Sequence, residues 1–323
     1  ATEGRPVQRV LPRAEVDFAI ANADGLDNAA LEARMAEEAY RPFDLTNGPL
    51  LRVRVYTRED ERTLLLAAHH IVVDLWSLAV VISELGALYA NPDAELPQPP
   101  LRFTDFATWQ ERFLPSPAGE RMWEHWKSAL AGPLPTLELP TDRPRPAVQS
   151  FEGSVESLDL GAELTAQVRA FSDRMGVTPY VTLLTAFAAL LHRYTGQEEI
   201  VVGSPTTGRS RAELANVVGY FVSPVAIRAA FPAAATVSET IRRMRETVLG
   251  SLANADVPFP LLVEKLHPRR DPSRTPIFQV MFALQRSHLL YEEGRSQFAT
   301  GAGGNRMDLG GLPLESVEIK RRM

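Results

Sequence analysis

The chain has 323 residues, 45% of them hydrophobic, and its 34 basic and 40 acidic side chains give a formal net charge of −6. That composition is globular and long enough for two lobes, and no basic run is present to follow a nucleic-acid backbone. With no cysteine, disulfides, thiolate metal sites and thiol nucleophiles are excluded for this sequence.

In chain order, apolar runs near 6–11, 15–20, 50–57 and 62–70 predict strands, and helical spacing near 27–40, 75–91 and 104–131 predicts helices. Residues 1–133 therefore read as a first α+β lobe. The segment 134–146 carries Pro135, Pro140, Pro144 and Pro146 and suits a semi-rigid connector, which places the lobe boundary there. Residues 147–323 repeat the mixture. Strands are predicted near 153–160, 199–203, 221–230 and 276–285, and helices near 161–175, 179–195, 236–253 and 258–266. The order is not a βαβ repeat, so the class is α+β. Residues 288–312 are polar and glycine-rich and read as a mobile loop. The most apolar helix, Pro179 to Leu191, is too short for a bilayer of about 30 Å. The opening Ala1-Thr-Glu-Gly-Arg-Pro lacks signal-peptide character, so the expected location is cytoplasmic, with neither membrane nor nucleic acid as partner.

The chemistry concentrates at His69-His70-Ile71-Val72-Val73-Asp74, where the strand predicted at 62–70 gives way to a helix from Leu75. Asp74 stands in the N-cap position. If the strand runs to its end, the two imidazoles point to opposite faces, so one is structural and the other functional. An imidazole titrates near neutrality and can accept a proton from an attacking amine or hydroxyl. Two other readings of these residues stand beside that one. The first is a pair of polar strand-end residues followed by a helix cap. The second, a metal site, is disfavoured because adjacent histidines diverge and no third His or Cys lies nearby.

The hexapeptide resembles the His-His-x-x-x-Asp core of condensation domains from nonribosomal peptide synthetases. Further segments match that family in order: Arg41-Pro-Phe-Asp-Leu-Thr-Asn-Gly-Pro-Leu-Leu-Arg52, Phe103-Thr-Asp-Phe-Ala-Thr-Trp-Gln110 and Leu137-Glu-Leu-Pro-Thr-Asp-Arg-Pro-Arg-Pro146. Then come Val201-Val-Gly-Ser-Pro-Thr-Thr-Gly-Arg209, Val218-Gly-Tyr-Phe-Val-Ser-Pro-Val-Ala-Ile-Arg228 and Arg274-Thr-Pro-Ile-Phe-Gln-Val-Met-Phe282. The resemblance covers about residues 5 to 290. It implies a V of two chloramphenicol-acetyltransferase-like lobes around a central tunnel, here lacking the family's first and last elements, as in a fragment of a larger synthase.

The resemblance also implies the activity, an amide bond formed between an acyl or peptidyl thioester on an upstream carrier protein and the amine of an aminoacyl thioester on a downstream one. Both substrates would be tethered through 4'-phosphopantetheine, with no cofactor bound directly, in the service of secondary-metabolite assembly. By the same resemblance His70 takes the catalytic position and His69 packs beneath it. Asp74 would pair with Arg209 of the Gly208-Arg209 segment, and Leu75, Ser77, Tyr220, Phe221, Ser223 and Gln279 would line the tunnel. Two residues depart from the family pattern: Leu75 where Gly is usual, and Ser223 where the family has Asn. Leu75-Trp76-Ser77 also resembles variants from hybrid polyketide–peptide lines. The loop His267 to Arg274 reads as an ordinary charged loop, with a pantetheine-phosphate role as the alternative. Intact histidines disagree with heterocyclisation domains, whereas an epimerisation domain, another acyltransferase of the superfamily, and a non-condensing module that recruits carriers remain open.

Overall fold

The computed structural model describes residues 7–11, 13–150, 153–268, 271–285, 304 and 306–319. They fall into two compact units. The first holds the described residues up to Ala94, Val218–Tyr220 and those from 304 onward; the second holds Glu95–Val217 and the described residues from Phe221 to 285.

The first unit starts with β1 (Asp17–Asn22), α1 (Asn28–Tyr40), β2 (Leu51–Arg58), β3 (Glu61–Ala68) and α2 (Leu75–Ala90). The three strands form one sheet in the order β1-β2-β3, with β1 parallel and β3 antiparallel to β2. Asp27 opens α1 by accepting a 2.8 Å bond from the Ala30 backbone N–H, which satisfies one of the donors a helix start leaves unpaired. Leu31 and Met35 of α1 then pack on Tyr56 and Leu65 of the sheet, with Ala23 beside them.

Alternation along the strands sends the other set to the opposite face. The register puts Phe18 beside Val53 and Leu66, and Ile20 beside Val55 and Leu64. These two rows are apolar, with Asn22, Thr57 and Arg62 at the end of the face, and Phe18, Ile20 and Leu64 are 57%, 65% and 43% exposed. Contiguous apolar area of that kind drives association. The isolated 323-residue chain is therefore expected to self-associate, and Phe18→Ser with Ile20→Thr to reduce this; light scattering that shows a monodisperse parent chain would contradict the expectation.

The helix-covered face ends in a charge cluster. Asp17 receives Arg41 at 2.7 Å and Arg54 at 2.6 Å, while Glu38 receives Arg52 and Arg54, each at 3.0 Å. Burial alone would raise the Asp17 carboxyl, but the bonds from Arg54 and Arg41 outweigh it and hold the group below its ordinary value.

The second unit opens with α3 (Phe103–Phe113) and α4 (Pro117–Ala129). The sequence pattern predicts one helical stretch over 104–131, and Pro115 and Pro117 divide it. Pro115 cannot continue α3, while Pro117 suits the first turn of a new helix, which Ser116 caps by accepting from Gly119 N–H at 3.3 Å. Next come α5 (Gly161–Met175) and α6 (Pro179–Thr195), each closed by a left-handed glycine, Gly176 and Gly196. A two-stranded antiparallel sheet of β4 (Glu199–Thr206) and β5 (Ser223–Ala230) follows, then α7 (Val237–Ala253) and α8 (Phe259–Leu266). Trp126, Leu184, Val202, Ile227 and Leu262 centre the core.

The segment 134–146 lies in the second unit and is tied down by side-chain amides. Leu137 N–H donates to Gln279 Oε1 at 2.8 Å, Glu138 N–H donates to Gln197 Oε1 at 2.9 Å, and Gln197 Nε2 donates to Thr136 O at 2.9 Å.

Three predicted strands do not form. Residues 7–11 and 153–160 are exposed and irregular. Residues 276–285 contribute one parallel bridge, Met281 to Gly203, because Ile277 at φ +69° turns the chain away from an extended path. Part of the stretch read as a mobile loop is instead a hairpin of the first unit. It consists of β6 (Arg306–Leu309) and β7 (Leu312–Glu315), turned by Gly310 and Gly311, both at positive φ. Residues 288–303 and 305 of that predicted loop lie outside the described residues.

Candidate active site

Between β3 and α2, residues 69–74 form a tight loop. Its far end is fixed by Asp74, which is 1% exposed and accepts from Ser77 N–H at 2.7 Å, with Leu78 N–H donating to its carbonyl at 3.0 Å. The N-cap read from sequence is present. The strand, however, ends at Ala68, so the histidines are set apart by a turn, with Val72 N–H donating to His69 O at 3.1 Å, and not by strand alternation.

His69 is half-buried. Its ring stands edge-on to Phe43 at 5.9 Å, and its Nδ1 accepts from Ile71 N–H at 3.1 Å. Phe43 in turn lies under the Arg52 guanidinium, 4.3 Å from the ring centroid, and Arg52 is 3% exposed and bonded to the Glu38, Arg41 and Pro42 carbonyls. Sequence reasoning missed this support. Its signal was Arg52 itself, which with Arg54 alternates with Leu51, Val53 and Val55 in a run read as a strand.

His70 is exposed, and its Nδ1 lies 2.7 Å from Val73 O. A carbonyl only accepts, so Nδ1 carries the hydrogen and neutral His70 keeps its lone pair on Nε2. Its ring meets Tyr220 edge-to-face at 5.1 Å.

Tyr220 comes to His70 through its neighbour. Ser77, fully buried in the first turn of α2, donates Oγ–H to Gly219 O at 2.8 Å and accepts from Gly219 N–H at 3.0 Å. Leu75 begins α2 and is half-buried, as is Trp76. The fold therefore brings His70, Asp74, Ser77 and Tyr220 together within the first unit.

The other residues singled out by sequence lie in the second unit. Arg209 donates to Val217 O at 3.1 Å and stacks 4.2 Å from the Phe221 ring centroid. Phe221 is 3% exposed and packs with Leu214 and Val217. Ser223 accepts at Oγ from Phe259 N–H at 3.4 Å, and Gln279 serves the 134–146 segment. In the charged loop, Arg274 pairs with Glu138 at 2.7 Å, and Arg269 and Arg270 lie outside the described residues.

The condensation-domain family profile matches residues 1–308. The chain belongs to the condensation-domain family. It is 45% identical over 254 residues to a linear gramicidin synthase protein of Brevibacillus parabrevis, a match covering 77% of this chain and 5% of that protein. Among solved structures it is similar to holo-AB3403, a four-domain nonribosomal peptide synthetase, with TM-score 0.82 and 24% identity over 96% of this chain and 23% of the other. It is also similar to the teicoplanin-biosynthesis X-domain solved in complex with OxyB, with TM-score 0.70 and 29% identity, covering 82% of this chain and 60% of that one. The α+β condensation-domain fold expected from the sequence is thus the fold of this chain, which spans only a small part of the curated relatives' length. Among the described residues of this condensation domain, no single helix is long and apolar enough to cross a membrane.

Proposed function

We propose that this condensation domain forms an amide bond between two carrier-tethered substrates in the cytoplasm, with His70 as its catalytic residue. The observation that carries the reading is the fixed His70 tautomer, Nδ1–H on the Val73 carbonyl at 2.7 Å, which leaves Nε2 as a proton acceptor on an exposed ring. In the proposed step the acceptor amine nitrogen attacks the donor thioester carbon and the C–S bond breaks. The proton leaving the nitrogen passes by way of Nε2 to the departing sulfur, which is released as the donor's pantetheine thiol. A thioester is already activated, so positioning and one proton transfer suffice.

Family membership supports carrier proteins as partners and 4'-phosphopantetheine as the tether, with Leu75, Ser77, Tyr220, Phe221, Ser223 and Gln279 as tunnel-lining candidates. Asp74 and Arg209 are kept as supporting residues, and their pairing rests on the motif resemblance alone. If they pair, removing either charge costs about as much stability as removing both, which a double-mutant cycle of Asp74→Asn and Arg209→Met measures.

The nucleophile is tested by loading the acceptor carrier with an aminoacyl group or with its N-acetylated form. Transfer to the free amine alone supports the reading; equal transfer to both overturns it. A second reading, a module that recruits partners without condensing, is favoured by the 29% identity to an X-domain found in complex with OxyB. Carrier binding with no transfer at all would select it.

A further inference from the structure

We infer that Tyr220 is a positioning residue for His70, held in place by Ser77 through the backbone of Gly219. The inference rests on the reading of His70 as the proton acceptor.

His70 has little to hold it. It is exposed, and one bond to Val73 O fixes Nδ1 but leaves the ring free to tilt about that contact. The Tyr220 ring supplies the second constraint, 5.1 Å away at an interplanar angle of 76°, an edge-to-face arrangement that aromatic rings prefer. Tyr220 is itself 41% exposed, so packing around its own side chain does not fix it. What does is the residue before it. The Ser77 hydroxyl bonds both polar groups of Gly219, donating at 2.8 Å and accepting at 3.0 Å, across 142 residues of sequence.

Ser77 is in turn seated by Asp74, which accepts from its backbone N–H at 2.7 Å. The loop that carries His70 and the residue that flanks it are therefore fixed to the same turn of α2. A hydroxyl, with one donor and two acceptor sites, can hold both the N–H and the C=O of one residue, and so the two peptide groups that flank Gly219. This gives Ser77, and the Asp74 cap that seats it, a role that neither the N-cap reading nor the tunnel-lining expectation assigns.

The test uses the full-length protein under single turnover, with donor and acceptor carriers loaded. Tyr220→Ala is expected to lower the transfer rate about tenfold, near the upper end of what an edge-to-face pair contributes, with the half-saturating acceptor concentration and Tm unchanged. Tyr220→Phe, which keeps the ring, should restore the rate. Ser77→Ala should also lower the rate, and Ser77→Ala/Tyr220→Ala should lose little more than the worse single variant, because both act on one arrangement. If His70→Ala is inactive while Tyr220→Ala runs within twofold of the parent, or the two losses multiply independently, the positioning role is wrong and the reading of His70 survives. If His70→Ala transfers at the parent rate, both fail. Should Ser77→Ala not fold, the Tyr220→Ala and Tyr220→Phe pair decides alone.

Discussion

Replacing His70 with alanine is expected to slow amide formation by roughly a hundredfold or more, the range that general acid–base groups contribute, with almost no change in folding stability. The two halves of this expectation have separate causes. His70 is exposed and gives one hydrogen bond to Val73 O, so its loss opens no cavity and strands no buried donor. His69 is the internal control. It is half-buried against Phe43 and accepts from Ile71 N–H, so His69→Ala should lower stability by about 1 kcal/mol. Its effect on rate should come through disorder of the loop. Thermal unfolding and single-turnover rates on both variants separate the two roles; a His70→Ala chain that unfolds early and transfers normally would reverse them.

The largest stability effect at a single small residue is expected at Gly208. Its φ is +63°, and the position a Cβ would take is already occupied by the Phe221 carbonyl oxygen. An alanine there meets a left-handed backbone penalty of roughly 1–2 kcal/mol and an overpacking penalty of roughly 1–3 kcal/mol. Together these amount to about 3 kcal/mol, or roughly 6–12 °C in Tm for a unit of this size. Gly132 provides the contrast. It is also left-handed, at φ +76°, but nothing lies within 4 Å of its missing Cβ, so Gly132→Ala should cost only the backbone part, roughly 1–2 kcal/mol. Equal losses at the two glycines would show that the close approach of Phe221 to the Gly208-Arg209 turn contributes nothing.

The helices were legible because their signals are local. Thr178 before α6, Pro179 at its first position and Gly196 after it, or the Thr236 and Glu239 capping box of α7, are readable without any tertiary contact. The failures have a common cause. Residues 276–285 have the composition of a strand, but whether they pair is decided by the φ of Ile277 and by Phe278, which fills the space beside Gly203. The 104–131 stretch keeps helical periodicity across Pro115 and Pro117, and periodicity is blind to a missing N–H. At the site, Asp74 as a cap was legible because the capping bond spans three residues. Ser77 to Gly219 spans 142, and the Arg52–Phe43–His69 stack joins residues whose meeting depends on how β2 and β3 are registered. The histidine motif thus told which loop to look at, while the elements that hold it came from the fold.

The central claim is tested most directly by a single-turnover reaction with the full-length protein, donor and acceptor each loaded on a carrier protein, followed by intact-protein mass spectrometry. The account predicts that the acceptor carrier gains the mass of the donor acyl group at the parent's rate and fails to gain it with folded His70→Ala. An acceptor carrier that stays unmodified with the parent protein, or gains the acyl group equally with His70→Ala, would contradict it.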